Sequence, residues 1–292
     1  MNVNKIKLIL LLFCSLFLYS FGRTKGKEIQ VIYKQIGDVQ LEMNVFYPEN
    51  FDQSKSYPAI VFFSGGGWLG MNINQFRPQA QHFAKKGFIC FTPKYRTAKH
   101  HGTGPTASLK DAKSAMRYIK GNADSLHVNT DHIIASGGSA GGHLAAACAL
   151  IEGHNEETDD LSISTIPSAL VLFNPVIDNS SDGYGYKRLG CDYKTFSPLH
   201  NIKKGAPPTL FLLGTKDHLI PVQTAELYQK KMTDVGAKCK VVLYKDQEHG
   251  FFNYKFKENY LKTINEMEEF LLELGYKQFE PSNLAIDTMV YI

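Results

Sequence analysis

The sequence contains no run of five or more lysines and arginines, no low-complexity stretch and no internal repeat. Without a basic run, the simplest sequence evidence for nucleic-acid binding is missing. The net charge of +4 falls to +2 when Lys5 and Lys7 are set aside, because 30 basic residues then face 28 acidic ones. The 24 glycines and 12 prolines are an ordinary share, which excludes a collagen-like or low-complexity chain. We expect no nucleic-acid partner.

What the sequence does contain is enough apolar material for a sizeable core. Of its 292 residues, 43% are hydrophobic and 21% are charged, which is typical of a folded globular protein. Length alone permits one or two domains.

Residues 1–22 have the order of features found in secretory signal peptides. A positively charged start is followed by a largely apolar run from Leu8 to Tyr19 and then by Ser20-Phe21-Gly22, whose small residues suit cleavage after position 22. The apolar run is shorter than the roughly 20 residues of a membrane span, although an uncleaved N-terminal anchor stays open. The sequence predicts export, to the periplasm or out of the cell, and a single mature domain over 23–292.

An exported chain folds in an oxidising compartment, where disulfides form. An even number of cysteines remains after removal of the signal peptide, and buried free thiols are as compatible with their positions as bridges are. No pairing is assigned to Cys90, Cys148, Cys191 and Cys239.

From residue 29 onward the hydrophobic pattern alternates between strand and helix. Some strand candidates, such as AIVFFS at 59–64, are apolar throughout, which is typical of strands buried on both faces. The predicted strands are 29–35, 39–47, 59–64, 88–92, 132–136, 169–173, 209–213 and 240–244, and the predicted helices are 75–86, 106–120, 143–151, 221–235 and 258–274. This order predicts an α/β fold with a mostly parallel central sheet and helices on both faces. With no linker in the sequence, one domain is the better prediction.

The segment 137–142, Gly-Gly-Ser-Ala-Gly-Gly, fits the pattern G-x-S-x-G. A predicted strand precedes it and a predicted helix follows it, which is the strand–turn–helix context of a nucleophilic serine. A glycine-rich phosphate loop is the alternative, but the lysine of that motif is missing. We predict that Ser139 is a nucleophile.

A second glycine-rich segment, Ser64-Gly65-Gly66-Gly67-Trp68, begins at the last residue of the predicted strand 59–64. Consecutive glycines leave backbone N–H groups accessible to a ligand. We predict that the amides of Gly66, Gly67 and Ala140 form an oxyanion hole beside Ser139.

Asp217 and His249 follow the predicted strands 209–213 and 240–244, so both belong at the sheet edge that carries Ser139. The chain order Ser, Asp, His is the one that this architecture uses. We predict His249 as the general base and Asp217 as the residue that orients it.

Other candidates are weaker. His218 has no strand of its own to place it, and His143 on the helix after the serine suits a structural hydrogen bond. Asp178 follows the strand 169–173 and is the alternative acid, while His100 and His101 lie in a polar segment that could contact substrate. No His, Asp or Cys cluster has metal-ligand spacing, so neither a metal nor another cofactor is expected.

The stretches VFFSGGGW, GGSAGGHLA, GTKDHLIP and EHGF resemble an α/β-hydrolase of the esterase/lipase group that includes the hormone-sensitive-lipase-like and acetyl esterase enzymes. The resemblance extends over about residues 29–275. It implies the α/β-hydrolase fold and carboxylic ester hydrolysis through an acyl-enzyme. Members often have histidine where this chain has Ser64, so the hydrogen bonds that support the glycine loop must differ here. Tyr95-Arg96 resembles a pair that is usually structural in the family.

The segment from 174 to Ser197-Pro198, where such enzymes often carry a lid, is short and rich in polar residues and tyrosine. A lid over a lipid would be more apolar. The sequence therefore predicts a short or absent lid and an enzyme that removes acetyl or other small acyl groups from a polysaccharide or oligosaccharide. Trp68, His100 and Tyr184 are candidate substrate contacts.

Three alternatives stay open: a general short-chain esterase or lipase, a prolyl-type peptidase, and a non-catalytic binding protein on the same fold. A propeller of the kind that prolyl peptidases carry has no room in this chain. The sequence does not predict the oligomeric state.

Overall fold

A computed structural model describes residues 26–189, 192–276 and 289–291. The predicted signal peptide at 1–22 and Cys191 lie outside these ranges, so both predictions about them stay open.

In the described residues, nine strands form one sheet, and the helices lie between them along the chain. The strands are β1 (Glu28–Ile36), β2 (Val39–Phe46), β3 (Tyr57–Phe63), β4 (Ile89–Pro93), β5 (Val128–Gly138), β6 (Ala169–Phe173), β7 (Thr209–Gly214), β8 (Cys239–Tyr244) and β9 (Met289–Tyr291). The helices are α1 (Arg77–Lys85), α2 (Ala98–His101), α3 (Pro105–Gly121), α4 (Ala123–Leu126), α5 (Ala140–Leu150), α6 (Val222–Asp234) and α7 (Lys257–Glu273), with short 3₁₀ turns at Tyr186–Arg188, Tyr193–Thr195 and Pro198–His200.

The strand order across the sheet is β1-β2-β4-β3-β5-β6-β7-β8-β9. The strands from β3 to β8 run parallel to one another, whereas β1, β2 and β9 pair antiparallel with their neighbours. Because parallel strands end at the same edge, the loops after β5, β6, β7 and β8 meet there. The mostly parallel sheet that the sequence predicts is confirmed.

The central strands are buried on both faces, as their apolar sequences predict. Along β3 the side chains alternate between two cores: Ala59, Val61 and Phe63 pack on one side of the sheet, and Ile60 and Phe62 on the other. Helices α3 and α5 cover the first side, and α1 and α7 cover the second. Helices on both faces are therefore confirmed as well.

The observed elements differ from the sequence expectations mainly at their ends. Strand β5 begins at Val128 rather than at 132, because Val128 pairs with Tyr57 of β3. Helix α5 begins at Ala140 rather than at 143, because close packing of the helix start against β3 outweighs the low helix propensity of its glycines. Strand β9, in a tail without a clear pattern, is not predicted from the sequence.

The cysteines of the described residues are free thiols: Cys90 and Cys148 are buried, and Cys239 is half-buried. Burial raises the pKa of Cys148 to about 12, so its thiol is protonated and inert at neutral pH. No helix in the described ranges is long and apolar enough to cross a membrane.

Candidate active site

Ser139 connects β5 to α5 in a strained backbone conformation. Its φ of +54° and ψ of −121° are rare for a residue with a side chain, and such strain costs about 1–3 kcal/mol. The amide of Ser139 donates to the Phe173 carbonyl at 3.0 Å, and its own carbonyl accepts from the amides of His143 and Val176 at 3.0 and 3.1 Å. These bonds hold the turn, so that the hydroxyl projects beyond the sheet edge.

The turn also depends on the glycine that follows it. A methyl group on Gly141 would overlap the carbonyl oxygens of Phe63 and Ser64 at the end of β3. Only glycine lets the start of α5 approach the sheet this closely. The G-x-S-x-G pattern therefore has a steric cause in this fold.

His249 and Asp217 meet Ser139 at this edge. The Nε2 atom of His249 lies 2.9 Å from the Oγ atom of Ser139, and its Nδ1 atom lies 2.7 Å from Oδ2 of Asp217. The three residues that the sequence groups together are thus brought into one chain of hydrogen bonds. Such an arrangement can move a proton from a hydroxyl to an imidazole.

The carboxylate of Asp217 is fixed on both oxygens. Its side chain has no exposed area, and Oδ1 accepts the amides of Leu219 and Ile220 at 2.8 and 3.0 Å. Because a carboxylate can only accept hydrogen bonds, the His249 proton resides on Nδ1 and Nε2 is left to receive a proton.

The glycine loop, residues 64–68, lies beside Ser139. Gly66 has a φ of +137°, and a methyl group on it would overlap the carbonyl of Gly70, so this position requires glycine. Among the described residues no hydrogen bond occupies the amide N–H of Gly66, Gly67 or Ala140. These three predicted oxyanion-hole donors therefore remain available to a ligand.

Two side chains support the glycine loop. The Gln75 Oε1 atom accepts the Gly65 amide at 2.7 Å, and the Tyr95 hydroxyl donates to the Ser64 carbonyl at 2.6 Å. The Ser64 hydroxyl itself has no hydrogen-bond partner in the described part of the chain. The support that histidine often gives in the family therefore comes here from other positions in the sequence.

A cavity of about 330 Å³ lies in front of Ser139 and His249. The Arg188 guanidinium stacks over the ring of Tyr184 at its rim and donates to the Tyr184 hydroxyl at 3.1 Å. The side chains and loops that line the cavity are Gly65, Gly66, Gly67, Gln75, Ser139, Asn174, Tyr184, Leu219, His249, Gly250, Phe252 and Asn253.

Of the three candidate substrate contacts, only Tyr184 lines this cavity. The predicted substrate contact of Trp68 is corrected by its burial: the residue is 1% exposed and packs against His143 and Phe196, because a φ of +60° turns the indole into the core. The predicted substrate contact of His100 is also corrected, because His100 borders a different cavity and its Nδ1 atom lies 3.1 Å from the Thr97 hydroxyl.

In the described part of the chain, the side chains of the weaker candidates take no part in the hydrogen bonds that join Ser139, His249 and Asp217. His143 is fully buried and donates from Nε2 to the Phe196 carbonyl at 2.8 Å, and burial lowers the pKa of His143 to about 3. It is therefore neutral and structural. Asp178 accepts the Ser180 amide at 2.8 Å, and His218 is exposed. Within the described ranges, no group of His, Cys, Asp and Glu side chains could hold a metal ion.

Sequence reasoning missed three amide side chains that line the cavity: Gln75, Asn174 and Asn253. Asn174 directly follows β6, so the rule that points to the sheet edge after each strand could have found it. Gln75 and Asn253 bond to each other at 3.0 Å but are 178 positions apart, and no local pattern marks them.

Family models match two overlapping parts of the chain. The BD-FAE family model matches residues 43–182, and the dienelactone hydrolase family model matches residues 174–281.

Among solved structures, esterase 2 of Thermogutta terrifontis, phosphonylated by cyclosarin, is similar over 85% of this chain and 94% of its own, with 37% sequence identity and a TM-score of 0.81. Among curated proteins, an acetylxylan esterase of Xylanibacter ruminicola is 26% identical over 73% of this chain and 44% of its own length. The esterase LipC of Mycobacterium tuberculosis is 24% identical over 63% of this chain and 50% of its own length. The chain spans about half the length of these curated relatives.

Proposed function

Because the chain belongs to the α/β-hydrolase esterase family, we propose that it is a serine carboxylic ester hydrolase. The observation that carries the proposal is the hydrogen-bonded series Ser139, His249, Asp217 at the mouth of a cavity with backbone donors beside it. The geometry assigns one chemical role to each group.

In the first half of the reaction, the Ser139 oxygen attacks the ester carbonyl carbon while its proton passes to Nε2 of His249. Negative charge moves to the carbonyl oxygen, and the amides of Gly66, Gly67 and Ala140 stabilise it. The carbon–oxygen bond to the alcohol then breaks. The alcohol leaves with the proton from Nε2, and the acyl group remains on the serine.

In the second half, a water molecule gives one proton to Nε2 of His249 and attacks the acyl carbon. The same amides stabilise the second tetrahedral intermediate. The bond to Ser139 breaks, the serine regains its proton from His249, and the carboxylic acid leaves. Asp217 keeps the imidazole in the required tautomer throughout and stabilises its charged form.

For the substrate, we propose an acetyl or other small acyl ester of a polysaccharide or oligosaccharide. The cavity of about 330 Å³ is bordered by the amides of Gln75 and Asn253 and by the tyrosine ring of Tyr184, which suits hydroxyl-bearing sugars better than a long acyl chain. The acetylxylan esterase among the relatives supports the same substrate class. The signal-like residues 1–22 support export to the compartments where such glycans occur.

The test is acid release by the purified protein from p-nitrophenyl acetate, butyrate and decanoate and from acetylated xylan. We expect turnover to fall with acyl length and acetate to be freed from the glycan. Ser139→Ala should lower kcat by about 10⁶-fold, as in other serine hydrolases. A fluorophosphonate should label the wild type on Ser139 and leave the variant unlabelled.

Each alternative gives a different result. Hydrolysis of the synthetic esters without acetate release from any glycan would keep the esterase and reject the glycan substrate. Cleavage of proline anilides without ester turnover would indicate a peptidase. Absence of both turnover and labelling would favour a binding protein.

A further inference from the structure

Asn174 lies at the centre of the candidate site although sequence reasoning assigns it no role. It directly follows β6, borders the cavity with a fully buried side chain, and has a φ of +35°. The backbone N–H of Asn174 donates to the Leu212 carbonyl on β7 at 2.7 Å, which fixes the backbone in this conformation.

The orientation of the Asn174 side chain is fixed by its partners. Its Oδ1 atom accepts the Gly250 amide at 2.9 Å. If the side-chain amide were flipped, two donors would face each other. The Nδ2 atom therefore points to the other side, where it lies 3.3 Å from Nε2 of His249.

This contact bears on the atom that must receive the serine proton. Because Nδ1 of His249 donates to Asp217, the lone pair of Nε2 faces two donors, the Ser139 hydroxyl at 2.9 Å and the Asn174 amide. The Nε2–H bond of a protonated imidazole lies in the plane of the ring, so a ring orientation that aims this proton at Asn174 sets two donors against each other. Protonated His249 is therefore favoured only in the ring orientation that aims Nε2–H toward Ser139 and the ester.

We propose that Asn174 is a positioning residue for His249: it disfavours proton uptake from solvent on Nε2 and directs the transferred proton toward the leaving alcohol. The inference rests on the proposed esterase function. Ser139, Asp217 and His249 follow β5, β7 and β8, and the proposal adds Asn174, which follows β6, to the residues that act in the proton transfer.

Within residues 26–189 and 192–276, few ionisable groups share the surroundings of His249. From the β7–α6 loop, Asp217 contacts the ring, and across the cavity lies Tyr184 with Arg188 stacked on it. Glu248, the neighbour in sequence, is exposed. A new charge at position 174 would thus lie next to Nε2 of His249, whereas the charge of Asp217 lies next to Nδ1.

The decisive variant is Asn174→Asp. The carboxylate can still accept the Gly250 amide, but it presents an oxygen instead of a donor to His249, and this favours the protonated imidazole. We expect the acidic limb of the kcat/KM profile on p-nitrophenyl acetate to move up by about 1 pH unit. The His249 ring resonance in an NMR titration should move by the same amount.

Two further variants separate position from charge. Asn179→Asp places the same charge in another buried asparagine of the same loop, one that donates to the Tyr184 carbonyl and does not contact His249, so its acidic limb and its His249 titration should match the wild type. Asn174→Gly tolerates the positive φ and deletes the amide. It should lower kcat by about tenfold, the scale of one hydrogen bond, with KM within about twofold of the wild type.

Coincident His249 titrations of the wild type and Asn174→Asp would overturn the inference, as would equal shifts in Asn174→Asp and Asn179→Asp. If the wild type hydrolyses no ester, the proposed function fails, and the NMR titration still decides whether Asn174 controls the protonation of His249.

Discussion

Replacement of Gln75 by leucine tests whether this half-buried side chain holds the oxyanion loop in place of the histidine found elsewhere in the family. Gln75 accepts the Gly65 amide at 2.7 Å and donates to Oδ1 of Asn253 at 3.0 Å. Leucine has a similar volume and can do neither. The adjacent amides of Gly66 and Gly67 would then lose the bond that fixes the start of their loop.

The magnitude follows from the two lost bonds. A typical hydrogen bond contributes about 0.5–1.5 kcal/mol, and a donor left unpaired costs about 1–3 kcal/mol. If about 1–3 kcal/mol of that loss falls on the transition state, kcat drops by about 5- to 150-fold. Most of this range lies below the roughly 10²–10³-fold loss for a missing oxyanion donor, because the donors remain and only their support is removed.

The assay is kcat and KM on p-nitrophenyl acetate, together with denaturant unfolding of the same preparations. Gln79→Leu is the matched control. Gln79 lies four positions further on, in α1, is fully buried, and has no hydrogen-bond partner for either side-chain polar atom among the described residues. Removal of its unpaired amide should leave kcat unchanged and raise stability by about 1 kcal/mol.

A Gln75→Leu variant that loses stability but keeps kcat within twofold of the wild type would show that Gln75 does not hold the oxyanion loop for catalysis. Gln75 would then be only a structural bond between two loops. Equal losses of kcat in Gln75→Leu and Gln79→Leu would point instead to a general disturbance of α1 and the residues that lead into it.

Three further outcomes follow from single residues. Gly66→Ala should lower kcat by at least about 10²-fold, measured on p-nitrophenyl acetate, because the methyl group would displace the loop that carries two oxyanion donors. Asp217→Asn should lower kcat by about 10⁴-fold with little change in KM, because an amide can impose the wrong tautomer on His249. In the folded state the pKa of His143 is about 3, below the unfolded value near 6.5. The free energy of unfolding, measured with denaturant, should therefore fall as pH drops from about 6.5 toward 3, and His143 should contribute no pH dependence above that window. His143→Gln should flatten this decline.

Local patterns were enough to predict the fold and three of the residues that meet at the sheet edge. The serine turn is encoded within six residues, since Gly141 must approach the end of β3 and Ser139 must adopt a positive φ. Asp217 and His249 each follow an apolar strand by a few residues, and parallel strands bring such positions together. The α/β-hydrolase fold that the resemblance implies is confirmed.

Side-chain direction could not be predicted in the same way. Trp68 follows three glycines at a strand end, a context that suggests an exposed ring, yet its positive φ directs the indole into the core. His100 lies in a polar segment that forms the short helix α2 beside another cavity. The outcome for Trp68 depends on the backbone conformation of a single residue, which composition and periodicity do not report.

The amide side chains show a different reason why sequence is insufficient. Hydrogen bonds run from the Gly65 amide through Gln75 and Asn253 to the Gly250 carbonyl, and from the Gly250 amide through Asn174 to His249. Three of these bonds, Gln75–Asn253, Gly250–Asn174 and Asn174–His249, join segments that are at least 75 positions apart, so no short motif contains the series. Its two ends are the loop with the oxyanion donors and the base, which must be held at a fixed separation while charge develops between them. Neutral amides suit this task because they fix geometry through paired donors and acceptors without adding a charge that would compete with Asp217 for the imidazole. This makes the absence of histidine at Ser64 compatible with an active enzyme, since the support for the oxyanion loop comes from the same amides that hold the histidine loop.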